Sequence, residues 1–199
     1  MILSVETGDV GFAHGTGWLQ KAIRYVEKDP WERRPAWANH SLLFTRPGVI
    51  GPSTLLGPPQ AWAVEALWHV EHNPWWERHK SESGYRVQVF RPLFLADGDA
   101  EAVVAEALTH VGQRYGWFKL GFHLADRVLF KGRETLSRLM FIDSRPICSY
   151  MLAQAFEAVG YPHAFGTGIP ARAQDPDDQH RVVVSGEYRW AYVGEARIP

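Results

Sequence analysis

The grouping of strand-like and helix-like segments along the chain is the feature that most constrains its fold. Apolar patterning predicts a short strand near 8–13, a helix over about 17–27, and three strands at 39–46, 61–68 and 85–92. Helical periodicity dominates the segments that follow. Because strands and helices are grouped rather than alternating, we expect an α+β fold in which an antiparallel sheet packs against helices.

The second half of the chain predicts three helices and two strands. Residues 97–116 begin with aspartates and end with a glycine around a strongly helical pattern, which indicates a capped helix. A second helical stretch covers about 117–139, and the last long helix begins near Cys148. Two strands, at 181–185 and 188–194, are expected to close the chain.

The domain organisation is predicted to be simple. The 199 residues contain no internal repeat, no low-complexity tract and no linker, and the turn-rich stretch 46–59 lies between two predicted strands as a long hairpin connection. A chain of this length can bury roughly 70% of the surface that its unfolded form exposes. We therefore expect one domain over 1–199.

Charge and composition limit the kinds of ligand and partner that the chain is expected to bind. The 21 basic and 22 acidic residues leave a net charge of -1, which disfavours nucleic acid as a ligand. The sequence contains neither a phosphate-binding loop nor a dinucleotide-binding glycine motif, so no cofactor is predicted. No apolar run approaches about 18 residues, so no membrane-spanning segment is expected. A single cysteine and an N-terminus unlike a signal peptide favour a cytoplasmic location, and nothing in the sequence indicates an oligomeric state.

The single cysteine, Cys148, stands where the last long helix is predicted to begin. Unpaired N–H groups and the helix dipole at such a position favour an anion, which lowers the pKa of a thiol and produces the nucleophilic thiolate. The alternative is a small apolar residue that fills the core, the commoner fate of a lone cysteine. This segment by itself does not separate the two.

A nucleophilic cysteine needs a base and a group that orients the base. His40 opens a predicted strand, and Glu65 interrupts the otherwise apolar strand "AWAVEALW". A buried carboxylate needs a partner, so if the two strands pair, Glu65 can accept a hydrogen bond from the His40 ring. The alternatives are a strand-end histidine bonded to backbone and a carboxylate on the solvent face of an edge strand. His180 is a second candidate base.

Residues 65–79 also contain several potential metal ligands, namely Glu65, His69, Glu71, His72 and His79. Their order is not the H-E-x-x-H of a zinc peptidase, and Pro74 interrupts any helix that would bring His79 onto the same face. We therefore do not predict a metal site.

A set of short motifs in a particular order carries a family resemblance. The set contains "GD" at 8–9, a histidine opening a strand, "VEA" at 64–66, "YRV" at 85–87, "GxxYGW" at 112–117 and "CSYMLAQAFEAVGY" at 148–161. It resembles the circularly permuted branch of the NlpC-type papain-like superfamily, the YiiX and YaeF group, over roughly residues 8–175. In the unpermuted members the cysteine helix comes first, whereas here it follows the histidine strand.

This resemblance implies a permuted papain-like catalytic domain and assigns roles to four residues. Cys148 would be the nucleophile and His40 the general base, while Glu65 would orient His40 and Tyr115 would lie beside the oxyanion site. Tyr115 is equally compatible with an ordinary aromatic residue at a helix end. The stretch 116–147, far longer than the corresponding connection in the unpermuted relatives, is expected to be a helical insert.

The resulting functional expectation is a cysteine amidase or peptidase that acts on a small peptide, amide or acyl substrate through an acyl-enzyme. An acyltransferase, or a lipid or thioester hydrolase, is the alternative on the same fold. A catalytically inactive binding or structural module is the alternative of another class.

Overall fold

The computed structural model describes residues 2–17, 20–21, 36–52, 57–114, 147–166, 174–186 and 188–199. Within these ranges the chain forms eight strands: β1 Leu3–Val5, β2 Val10–His14, β3 His40–Arg46, β4 Gly48–Ile50, β5 Trp62–Ala66, β6 Val70–Pro74, β7 Arg86–Pro92 and β8 Trp190–Arg197. Four helices accompany them in the same ranges: α1 Trp75–His79, α2 Asp99–Leu108, α3 Cys148–Ala158 and α4 Pro176–Ser185.

Six of the described strands form one antiparallel sheet in the order β6-β5-β3-β2-β7-β8, and β1 pairs with β4 in a separate two-stranded ribbon. Strand β3 lies inside the sheet between β2 and β5, which explains why every residue from His40 to Thr45 is buried. The pairing of Leu42 with Glu65 brings the start of β3 beside the end of β5. The mixed α+β class with an antiparallel sheet is confirmed.

Helix α3 packs against the sheet through the apolar face that its sequence predicts. Met151, Leu152 and Phe156 are fully buried among residues of the strands, including Phe12 and Val64. Burial of such side chains contributes roughly 1.5–3 kcal/mol each to folding. This packing fixes the first residue of the helix, Cys148, near the beginning of β3.

A second group of buried residues covers another part of the sheet. It includes Leu42 and Phe44 of β3, Val87 of β7, and the aromatic side chains of Trp75 and Tyr85. Side chains two residues apart on a strand share a face, so His40 projects on the side of Leu42 and Phe44. The ring of His40 therefore lies on the face of the sheet that this second group covers.

The predicted strand at 181–185 is wrong, because these residues form the second half of α4. The Asp175 side chain accepts a hydrogen bond from the Asp178 backbone N–H, and the Asp178 side chain accepts one from the Asp175 N–H. Pro176 occupies the first turn, where its missing N–H is harmless. This capping box starts a helix that the β-branched valines then continue.

The other predicted elements differ from the structure mainly at their ends. The predicted strand 61–68 shortens to Trp62–Ala66, and the predicted helix 97–116 shortens to Asp99–Leu108. The connection 46–59 contains β4, which pairs with β1. Almost all of the predicted helix 17–27, and all of 117–139, lie outside the described residues. In the described part of the chain, no helix has the length and apolar character needed to cross a membrane.

Candidate active site

Cys148 is the first residue of α3, and its side chain is buried, with the residue 4% exposed. Ile147 precedes it with an extended backbone and provides no side-chain cap. The backbone N–H groups of Ser41 and Ser149 donate to the sulfur. The thiol thus faces hydrogen-bond donors from both the helix start and the sheet, a setting that favours the thiolate.

The His40 side chain is the main partner of this thiol. Burial by itself raises the pKa of Cys148, but the hydrogen bond and positive charge of His40 outweigh it and lower the pKa below its ordinary value. Burial lowers the pKa of His40, whereas the hydrogen bonds and negative charges of Cys148 and Glu65 raise it to about 10. The lowered pKa of Cys148 and the raised pKa of His40 both favour a thiolate paired with an imidazolium.

Glu65 lies on the other side of the His40 ring. His40 Nε2 is 2.9 Å from Glu65 Oε2, and Glu65 is 0% exposed. The alternative in which Glu65 lies on a solvent face is therefore wrong. Because Nε2 faces the carboxylate, Nδ1 is the ring nitrogen left for the thiol. Glu65 thereby fixes both the ring orientation and the nitrogen that faces sulfur.

A second histidine, His79, contacts the same carboxylate. Its Nε2 atom lies 3.0 Å from Glu65 Oε1 and 3.1 Å from Oε2, and its Nδ1 atom lies 3.0 Å from Glu82 Oε1. Burial raises the pKa of Glu65, but the charge and hydrogen bonds of His79 and His40 outweigh it and hold the pKa far below its usual range. His79 was predicted only as a possible metal ligand, and its contact with Glu65 was not predicted from the sequence.

The position of His79 follows from local structure. Helix α1 begins directly after Pro74, and its last residue is His79. The ring stacks on Tyr85 with centroids 4.5 Å apart and an interplanar angle of 17°, and it lies 5.1 Å from the ring of Trp75. The stacked ring of Tyr85 and the tilted ring of Trp75, which lie 5.9 Å from each other, restrict the orientation of the imidazole.

His180, the second candidate base, lies elsewhere. It belongs to α4, where its Nε2 atom is 2.8 Å from Gln88 Oε1 and its ring stacks on Trp37 at 4.6 Å. Burial lowers the pKa of His180 to about 4. The partner of the thiol is thus His40. Tyr115 lies outside the described residues.

Among the possible metal ligands of 65–79, Glu65 and His79 contact each other, whereas His72 and Glu71 have other partners. His72 contacts the Thr45 hydroxyl at 2.7 Å, and Glu71 accepts hydrogen bonds from Asn73 and Arg78. Across the described ranges, no group of three or more histidine, cysteine, aspartate or glutamate side chains has the arrangement needed to hold a metal ion.

Comparisons with known proteins identify a distant structural likeness. No family model and no curated protein matches the chain. The crystal structure of the metalloprotein YiiX from Escherichia coli O157:H7 is similar, with 14% sequence identity and a TM-score of 0.44. The match covers 78% of this chain and 66% of the YiiX chain, so the chain spans just under two thirds of the length of YiiX.

Proposed function

We propose that this protein is a cysteine-dependent hydrolase that cleaves amide bonds through an acyl-enzyme. The observation that carries the proposal is a buried thiol at a helix start, hydrogen-bonded to an imidazole whose other nitrogen meets a fully buried carboxylate. A structural core cysteine needs no such partners, whereas a nucleophile needs a base and an orienting group. Cys148, His40 and Glu65 would fill these three roles.

The geometry supports a two-stage reaction. His40 holds the proton of the thiol, and the Cys148 thiolate attacks the substrate carbonyl to form a tetrahedral intermediate. The Cys148 N–H at the helix start would donate to the oxyanion, with Tyr115 as a further proposed donor. His40 then gives its proton to the leaving amine, and the C–N bond breaks. Water, deprotonated by His40, attacks the thioester and releases the acid and the thiol.

The sequence resemblance to the permuted NlpC-type papain-like superfamily supports the same assignment. It implies the nucleophile, base and orienting group at Cys148, His40 and Glu65, and the described geometry brings these side chains into contact. A single papain-like domain over 1–199 is part of the proposal. The acyltransferase alternative depends on 116–147, nearly all of which lies outside the described residues, and no described contact favours it.

The first test is the pH dependence of Cys148 alkylation by iodoacetamide. With one cysteine in the chain, the rate reports on that thiol alone. We expect an inflection well below the reference value of about 8.5. In His40→Gln the inflection should move upward, because the imidazolium that stabilises the thiolate is lost. His180→Gln is the matched control, since His180 contacts Gln88 and should leave the inflection in place.

The second test asks whether the thiolate turns over. Incubation with activated p-nitrophenyl esters should give an intact-protein mass increase equal to one acyl group, absent in Cys148→Ala, followed by its loss through hydrolysis. A low inflection without any adduct would indicate a binding module that retains the pair. An ordinary inflection that is the same in His40→Gln would show that the cysteine is structural, and the hydrolase proposal would be abandoned.

A further inference from the structure

His79 has a charge state that its hydrogen bonds dictate. Its two ring nitrogens each lie 3.0 Å from a carboxylate oxygen, one of Glu65 and one of Glu82. An ionised carboxylate only accepts hydrogen bonds, so both nitrogens must carry a proton. A neutral imidazole has one N–H and would leave one of these oxygens facing a lone pair. His79 is therefore an imidazolium while both carboxylates are ionised.

The side chains then form a row of alternating charge. Thiolate, imidazolium, carboxylate, imidazolium and carboxylate follow one another from Cys148 through His40, Glu65 and His79 to Glu82. The last member is the most exposed, since the Glu82 side chain is 32% exposed whereas that of His40 is 9% exposed and those of Glu65 and His79 are 1% exposed. The single negative charge of Glu65 thus interacts with two imidazolium cations, so neither histidine is its sole ionic partner.

We propose that His79 is a positioning residue for the reaction: it holds Glu65 against His40, and its positive charge limits how strongly Glu65 retains the proton on His40. This inference rests on the proposed function. With His79 charged, the His40 imidazolium is less stable and gives its proton to the leaving group more readily. With His79 neutral, the charge of Glu65 would stabilise the His40 imidazolium more strongly, and the proton on the other ring nitrogen would be released less readily. Glu82 is the group that keeps His79 charged.

In the described part of the chain, three titratable groups contact His79. They are Glu65 from β5, Glu82 from the turn after α1, and Tyr85, whose ring stacks on the imidazole. Burial lowers the pKa of His79, but the charges and hydrogen bonds of the two carboxylates raise it above its ordinary value of 6.5. Burial also raises the pKa of Tyr85, which keeps the phenol neutral beside the imidazolium.

Histidine ring NMR on the full chain tests the inference. Signals of His79 and His40 are assigned with His79→Gln and His40→Gln, and each pKa is then measured by titration. In the wild type, both nitrogens of His79 should be protonated at pH 7. His79→Gln keeps a donor toward Glu65 but removes the charge, and should raise the pKa of His40 by about one to two units, as expected for two cations that contact the same buried carboxylate at an effective dielectric near 20.

Glu82→Gln is the second variant, because substitution at a partly exposed position should leave folding intact. It should lower the pKa of His79 toward 6.5 and raise that of His40 once His79 is neutral. Glu77→Gln is the matched control: this exposed carboxylate of α1 contacts Lys80 and Gln60 and should change neither histidine.

The outcomes separate the inference from the proposed function. A single protonated nitrogen on His79 at pH 7, or an unchanged pKa of His40 in both His79→Gln and Glu82→Gln, would overturn the positioning role. Either result would leave the hydrolase proposal standing if alkylation of Cys148 still depends on His40. If alkylation does not depend on His40, the proposed function fails, whatever the state of His79.

Discussion

Replacement of Glu65 by glutamine is the most informative change to this site. The amide side chain has nearly the same shape and keeps one acceptor, but the substitution removes the negative charge between two imidazoles that lie 2.9 and 3.0 Å away. Removal of one member of a buried ion pair typically costs about 3–5 kcal/mol, because the remaining charge is left uncompensated. We expect a loss of that size in the free energy of unfolding.

The pH dependence of this loss follows from the direction of each pKa shift. The pKa of Glu65 falls from 4.5 on folding, so its contribution is present above pH 4.5 and disappears as the pH falls through the folded value. The pKa of His40 rises from 6.5 to about 10, so its contribution is complete below pH 6.5 and is lost as the pH rises through about 10. Both are present between pH 4.5 and 6.5.

Urea denaturation of the wild type and of Glu65→Gln at pH 3, 5.5, 8 and 10 measures the difference in unfolding free energy. It should be largest near pH 5.5 and smaller at both extremes. Cys148→Ser serves as a control that keeps Glu65 and both histidines while it removes the thiolate. A difference below about 1 kcal/mol, or one that is the same at every pH, would refute the electrostatic reasoning, because a pH-independent loss indicates packing alone.

Two further predictions concern the scaffold. Asp175→Ala removes the capping box of α4 and should lower the free energy of unfolding by about 1 kcal/mol in urea denaturation, while the alkylation profile of Cys148 stays unchanged. Asp9→Asn disrupts the bidentate contact of the fully buried Asp9 carboxylate with Arg91, at 2.8 and 2.9 Å, and should destabilise the chain by roughly 1–3 kcal/mol in the same assay. A destabilisation below about 0.3 kcal/mol in either variant would contradict its reasoning.

The fold class and the contact between His40 and Glu65 could be predicted from the sequence, and the reason is physical. Glu65 stands inside an apolar strand, and a carboxylate there needs a partner. The histidine that begins the preceding strand of the hairpin, His40, meets it because antiparallel pairing places Leu42 opposite Glu65. Strand periodicity is local, so such neighbours can be predicted from the chain alone.

The contact of His79 with Glu65 could not be predicted from strand periodicity. Between Glu65 and His79 the chain completes β6 and enters the five-residue helix α1, and the direction of so short a helix depends on its packing. The rule that a buried carboxylate such as Glu65 needs a partner also does not predict how many partners it has. For α4, by contrast, the sequence does contain a helix signal. Asp175, Pro176 and Asp178 form a typical helix start, but the valines that follow favour a strand, and the strand prediction rested on them.

The two histidines on Glu65 are not interchangeable in a reaction. His40 has one nitrogen on the carboxylate and one toward the thiol, so it can take a proton from sulfur and give it to a leaving group. His79 has a carboxylate at each nitrogen, and neither Glu65 nor Glu82 gains or loses a proton in the proposed reaction. In the proposed reaction, the shared carboxylate thus separates proton transfer, assigned to His40, from the control of its strength, assigned to the charge of His79.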